Sequence, residues 1–345
     1  MRTRPSAPTR RRLLATSAGL LLSSGLPAAA ANRTIRVGYV PVIGAAPLFV
    51  MSGAGWAREA GLDLALTKFE SGPPAIQALA SGTLDVLFVG IAPIAVARAK
   101  GLPVRVVAAS GVGGNGFAVQ PALATFFDAA GGSAREAFRA FREKTGRPAK
   151  LGTLPPGGTP TVALRHWLKT EAVAAEDVQI VAMGIEAVQQ AMLTGGVDGG
   201  TVLEPSLTLV RGRNPGIRTI TYATRMFPNL PGVVVAATDA LVAKDPAAVE
   251  AIVKLAIRAR ELILSDPAAA APHVAAVIGG GLVPVAVFEE ALKSPAVTFV
   301  VDPRRIVDAT RESLAFEVEI GDFPTAPPVE GLFDPSWYLK VSGAS

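Results

Sequence analysis

The chain contains no cysteine and only two histidines, His166 and His273, among its 345 residues. Without thiols it can form no disulfide, so the fold must hold on its apolar core. A metal centre built from thiolates and imidazoles is excluded for the same reason. Aromatic residues make up 6% and charged residues 18%. No segment beyond the N-terminal stretch offers the ~18 uninterrupted apolar residues of a membrane-spanning helix. A basic excess is also missing where it would count. The totals are 33 Lys+Arg against 28 Asp+Glu, and Arg2, Arg4, Arg10, Arg11 and Arg12 fall in the first 31 residues, where no acid occurs. The remaining body carries equal numbers of each sign, which excludes the electrostatic footprint of a nucleic-acid partner.

What is present begins with an address. The basic run Arg10-Arg11-Arg12 is followed by a Leu/Ala-rich stretch over residues 13–26 and by Pro27-Ala-Ala-Ala-Ala31. That order reads as an export signal of twin-arginine type over residues 1–31, cleaved after small residues, with an apolar part too short to span a bilayer. The mature protein is then expected in the periplasm. It has no cysteine to carry a lipid and is read as untethered.

The body repeats itself. Gln77-Ala-Leu-Ala-Ser-Gly-Thr-Leu-Asp85 is answered by Gln190-Ala-Met-Leu-Thr-Gly-Gly-Val-Asp198, an offset of 113 (190 − 77). Val37-Gly-Tyr-Val-Pro41 stands opposite Leu151-Gly-Thr-Leu-Pro155, and Leu62-Asp63-Leu64 opposite Glu176-Asp177-Val178, both offset by 114. A spacing held over three motifs is too long for a solenoid unit. It indicates two lobes of similar βαβ build with a cleft between them.

The pattern of elements agrees. Short Val/Leu/Ile/Ala runs at 34–40, 62–69, 85–89, 104–109, 150–154, 178–183, 197–203 and 218–222 read as strands, with helical spacing between them. Helices are predicted at 46–60, 74–81, 91–100, 159–170 and 186–193. Alternation of this kind makes a mostly parallel sheet covered on both faces, an α/β fold. Residues 110–116 read as a Gly-rich flexible loop at the cleft edge, with Asn115 in a solvated turn or contacting the ligand, before a short strand at 117–119. A return strand is expected at 233–237, and a helical block follows from residue 239. The predicted organisation is a first lobe of residues 32–116 and 232–345 and a second lobe of residues 117–231.

In such sheets ligands bind outside the carboxyl ends of strands, where helices begin. That rule selects Gly44, Ala45 and Ala46, Ser71, Gly90, Ile91 and Ala92, and Ser110 in the first lobe. In the second it selects Gly158, Thr159, Thr161 and Glu204. Gly157-Gly158-Thr159 leaves a strand and opens a helix, so it can seat an anion or simply connect the two elements. Glu204 precedes Pro205, a residue suited to the first helical turn, and is expected either to cap that helix or to face the ligand. No nucleophile elbow, kinase set or Walker lysine occurs. No catalytic residue, metal or cofactor is therefore expected, and both histidines read as structural or exposed.

Taken together, Ile35-Arg-Val-Gly-Tyr-Val-Pro41, Gly61-Leu-Asp-Leu64, Ala78-Leu-Ala-Ser-Gly-Thr-Leu-Asp-Val86 and Val197-Asp198 with Leu203-Glu204-Pro205 resemble a periplasmic solute-binding protein of an ABC importer. The nitrate/sulfonate/taurine type is the group they are most similar to, and the likeness runs over about residues 34–240. The resemblance implies a hinged two-lobe periplasmic-binding-protein fold (type II) closing on a small-molecule ligand, a nitrate- or sulfonate-like anion. It implies delivery to an ABC permease in the inner membrane by a monomer. It also implies ligand contacts at Gly44-Ala45-Ala46, Gly90-Ile91-Ala92 and Gly158-Thr159. A thiamine-precursor or other small aromatic metabolite is the alternative cargo, although the Cys-rich motif of that branch is absent. An enzyme on the same fold is the alternative from another class.

Overall fold

The structure is a computed structural model and describes residues 32–343, so the expected export signal lies outside the described residues. Eleven strands follow in chain order: β1 (Arg33–Tyr39), β2 (Leu62–Lys68), β3 (Val86–Val89), β4 (Val104–Gly113), β5 (Asn115–Val119), β6 (Ala149–Thr153), β7 (Val178–Ala182), β8 (Gly199–Leu203), β9 (Arg218–Tyr222), β10 (Pro231–Thr238) and β11 (Val297–Phe299). They form two sheets. One runs β11-β4-β10-β3-β1-β2 and the other β7-β6-β8-β5-β9.

The sheets share one topology. In the first, β1 is parallel to β2 and β3, and β10 enters antiparallel between β3 and β4. In the second, β6 is parallel to β7 and β8, and β5 enters antiparallel between β8 and β9. Each sheet thus receives one strand that the chain inserts on crossing from the other. The register repeats as well: Arg33 pairs with Leu62 and Ala149 with Val178, and 62 − 33 and 178 − 149 both give 29. The duplicated motif in the sequence is therefore a duplicated sheet.

The aspartate closing each copy of that motif explains why it recurs. Asp85 accepts the backbone N–H of Arg36 at 2.9 Å and donates its own to the Arg36 carbonyl at 2.8 Å. Asp198 accepts the N–H of Lys150 at 2.8 Å and donates to the Lys150 carbonyl at 2.8 Å. An arginine also bonds each carboxylate, Arg36 on Asp85 and Arg147 on Asp198. Polar backbone groups of Arg36 in β1 and Lys150 in β6 are thereby satisfied at the same point of both lobes.

The strands are apolar because both faces are covered, and β3, β4 and β10 are buried almost throughout. In the second sheet Phe117 packs on Trp167 with centroids 4.9 Å apart and on Phe138 at 6.1 Å. Phe49, Phe117 and Trp167 are all core residues.

Three expectations change. The helix read over residues 46–60 is two, Ala46–Gly53 and Trp56–Glu59, because Gly55 takes φ +77° between them. The Gly-rich stretch at 110–116 is no loop: β4 continues to Gly113, and Gly113-Gly114, at φ +72° and +106°, turn the chain directly into β5. Asn115 is accordingly fully buried in β5 rather than solvated. In the C-terminal block, helices Pro246–Ser265 and Pro267–Ile278 pack on helix Ala46–Gly53, but helix Val307–Glu319 touches helix Ile91–Ala99 of the first lobe and helix Thr159–Thr170 of the second.

Candidate ligand-binding cleft

A cavity of about 350 Å³ lies where the carboxyl ends of both sheets meet. The turn after β1 supplies Gly44, and the turns after β2 and β3 supply Ser71-Gly72 and Gly90. Gly158-Thr159 and Ile185 come from the turns after β6 and β7, and Gly113-Gly114 and Gly232 come from the two crossings. Gly232 is required there, since a Cβ would stand 2.4 Å from the Gly113 carbonyl oxygen.

Four helices open on this cavity: Gly72–Ala80, Ile91–Ala99, Thr159–Thr170 and Ile185–Thr194. Their N-cap residues are Ser71, Gly90, Gly158 and Gly184, and none of the four receives a side-chain cap hydrogen bond. First-turn N–H groups of a helix lack the usual partner four residues back, and each helix end carries about half a positive charge. Pro73, Pro74, Pro93 and Pro160 have no N–H to offer, and the Thr161 N–H is taken by the Gly158 carbonyl at 2.9 Å, so the donors left are fewer and include Gly72, Ile91, Ala92, Thr159 and Ile185. Four such ends around one cavity make a seat for negative charge that needs no charged side chain. The walls are otherwise mostly apolar, built from Val40, Val42, Ile76, Val96, Leu154 and Phe323, with Gln77 as a polar side chain among them. Among the residues that line it, Lys100 alone carries a charge.

Contacts cross the cleft on several sides. The Thr159 hydroxyl donates to the Pro231 carbonyl at 3.2 Å, and the Ile43 N–H donates to the Glu204 carbonyl at 3.0 Å. Lys68, at the end of β2, lies 2.9 Å from Glu186 of helix Ile185–Thr194.

Of the twelve residues selected from the sequence, Gly44, Ser71, Gly90, Gly158 and Thr159 line the cavity. The other seven do not. Ala45, Ala46, Ile91 and Ala92 turn into the core behind it. The Ser110 hydroxyl is spent on the Gly44 carbonyl at 2.6 Å, and so braces the turn that does line the cavity. The Thr161 hydroxyl donates to the Leu154 carbonyl and lies 3.2 Å from that of Thr153. Glu204 is buried, and its Oε2 accepts the Thr208 N–H at 3.1 Å. The helix begins at Ser206, one residue later than expected, and the carboxylate bonds the third helical N–H. Burial pushes the Glu204 carboxyl up from its ordinary value, against the opposing pull of Ser294 and Thr208. It is a cap beneath the cleft.

Sequence reasoning missed the wall formed by two helices. Pro73, Ile76 and Gln77 on one, and Pro93, Val96, Ala97 and Lys100 on the other, face the cavity. Their i, i+3, i+4 spacing was readable, but a stripe of that kind reads first as core. Phe323 and its neighbour Glu317, from the C-terminal block, gave no local signal. His166 bonds the Met226 carbonyl through Nδ1 at 2.6 Å and packs on Phe227, a structural role.

Two α/β lobes of one topology, two crossings and a cavity at the strand ends define the two-lobe fold of the periplasmic binding proteins. The chain belongs to the NMT1-like family, whose model matches residues 28–279. It is 26% identical over 261 residues to a binding protein of Brucella abortus, covering 75% of both chains. The fold is similar to the periplasmic nitrate-binding protein NrtA of Synechocystis PCC 6803, with TM-score 0.75, 16% identity, and 90% of this chain and 88% of that one covered. It is also similar to the periplasmic aliphatic sulphonate binding protein SsuA of Escherichia coli, with TM-score 0.66, 18% identity, and coverage of 88% and 92%.

Proposed function

We propose that the chain is the extracytoplasmic solute-binding receptor of an ABC importer, taking up a small anion or organic anion of the nitrate, sulfonate or taurine class. The observation that carries this reading is the set of four helix N-termini, uncapped by side chains, around one cavity between the lobes. Main-chain N–H groups there would hold the charged head, and the apolar walls would hold the rest. The similarity in fold to binding proteins named for nitrate and for sulphonate supports the choice of cargo. On this reading the protein is exported by its N-terminal signal, works as a monomer in the periplasm, and hands its ligand to a permease in the inner membrane. Its task is capture and release rather than chemistry.

A thermal-shift screen of the purified protein against nitrate, sulfonates, carboxylates, amines and pyrimidines tests the reading. A ligand present at ~100 times its dissociation constant adds about 2.7 kcal/mol to stability. Anions, and sulfonates among them, are expected to raise the melting temperature. A shift produced only by neutral or cationic compounds would overturn the anion reading.

A further inference from the structure

One buried carboxyl beside the cleft has an oxygen that nothing among the described residues bonds. Glu317, in helix Val307–Glu319, is 1% exposed, and among the described residues its Oε2 has no hydrogen-bond partner. A buried carboxyl left in that state is destabilising, so its retention calls for a function. Its position suggests one. Gly157, which lines the cavity, has φ +79°, and a Cβ there would stand 3.7 Å from Phe323 Cζ and 3.9 Å from Glu317 Oε2. Phe323 also lines the cavity. With no side chain at 157, the unpartnered oxygen stands directly behind the cavity wall, one residue from the N-cap Gly158.

We propose that Glu317 is a specificity-determining residue of the cleft, its unpartnered oxygen meeting an oxygen of the bound anion through the side left open at Gly157. This rests on the anion reading above. The chemistry fits because the carboxyl is neutral: burial, and then the nearby Asp322 charge, push its pKa up to about 8. A protonated carboxyl donates a hydrogen bond, which an anionic oxygen can accept, whereas an ionised one repels it.

The charged neighbours do not displace it from this role. Asp322, in the turn after the helix, is held by Arg165 of helix Thr159–Thr170 at 2.8 Å. On that same helix Lys169 is taken by Glu319 and His166 by Met226 and Phe316. From helix Ile91–Ala99, Arg98 donates to the Val104 carbonyl at 2.6 Å, and Lys100 sits at the cavity wall formed by that helix. None of these bonds Glu317. The helix that carries it touches both lobes, so the contact would form only where the lobes and the C-terminal helix meet around the ligand.

The consequence is a ligand affinity that depends on a proton held by the protein. Sulfonates stay ionised throughout the neutral range, so a change in their affinity with pH reports the protein alone. Calorimetric titration of the full chain with ethanesulfonate, benzenesulfonate and nitrate between pH 6.5 and 9.5 tests it. For a group titrating near pH 8 that must be protonated to bind, the dissociation constant should rise about tenfold from pH 7 to pH 9. Glu317→Gln keeps the shape and a donor but cannot ionise, so it should bind at every pH with a flat profile. A flat wild-type profile, or a pH dependence that survives in Glu317→Gln, would overturn the role of Glu317 while leaving the cleft as an anion site. If no anion bound at any pH, the anion reading itself would fall, and this proposal with it.

Discussion

Lys68 Nζ lies 2.9 Å from Glu186 Oε1, so one exposed ion pair ties the rim of the first sheet to the rim of the second. Lys68 ends β2, and Glu186 stands in the first turn of helix Ile185–Thr194, one of the four helices that open on the cavity. Hydrogen bonds to Glu186 and then to Glu70 hold the lysine ammonium above its usual pKa range.

Both partners are largely exposed, so the pair contributes only ~0.2–1 kcal/mol to stability. Its larger effect should be on the balance between closed and open lobes. Lys68→Ala is expected to leave the melting temperature nearly unchanged and to enlarge the radius of gyration of the ligand-free protein in small-angle X-ray scattering. Added salt should move the wild type in the same direction. A variant with unchanged scattering would show that the pair does not restrain the lobes.

The paired aspartates predict an acid-sensitive fold. Burial opposes the ionisation of Asp198, but the bonds from Arg147 and the Lys150 N–H outweigh it, and the carboxyl titrates below its ordinary value of 3.8. Asp85 is held low in the same way by Arg36. A lowered folded-state pKa gives stability that is present above 3.8 and lost as pH falls through the folded value. Asp198→Ala should therefore cost about 1–3 kcal/mol at pH 7, by leaving the Lys150 N–H unmet, and should flatten the acid limb of the stability curve. Chemical denaturation at pH 7 and pH 3 checks both. An equal loss at the two pH values would contradict the linkage.

These aspartates also mark what the sequence made legible. The offset of 113–114 residues is visible because paired strands keep one register in both lobes, and the Gly-x-Leu-Asp and Gly-x-Val-Asp endings recur because the same backbone atoms need the same partner. Turns at strand ends were readable for a similar reason, since Gly44, Gly90 and Gly158 sit where helices start. Which side of each turn faces the cavity was not readable: Ile91 follows Gly90 directly, yet it points into the core. For Glu204 the strand-end position left two readings open, a helix cap or a cleft residue, and only the structure shows the Thr208 N–H bonding its carboxylate. Phe323 reaches the wall, and Glu317 the space behind it, from a turn and a helix some 160 residues beyond Gly157, a distance no local pattern spans. Asn115 lay in a Gly-rich stretch whose composition resembles a loop, although it pairs with Leu203 of β8 and is buried as the first residue of a strand.

The central claim, that anions are held by helix N-termini inside the cleft, is tested most directly at Gly90. This residue is the N-cap of helix Ile91–Ala99, with φ −61° and ψ 154°, and a Cβ there would meet only Gly232 O and Thr159 Oγ1, each at 3.6 Å. Aspartate is among the best N-cap residues, so Gly90→Asp should fold and melt no lower than the wild type. Its carboxylate would enter the same seat as the ligand. Two like charges ~5 Å apart repel by about 3 kcal/mol at an effective dielectric of ~20. Calorimetric titration with benzenesulfonate should then show binding to the wild type and a loss of about 100-fold or more in Gly90→Asp. Undiminished sulfonate affinity in a folded Gly90→Asp protein would contradict the account.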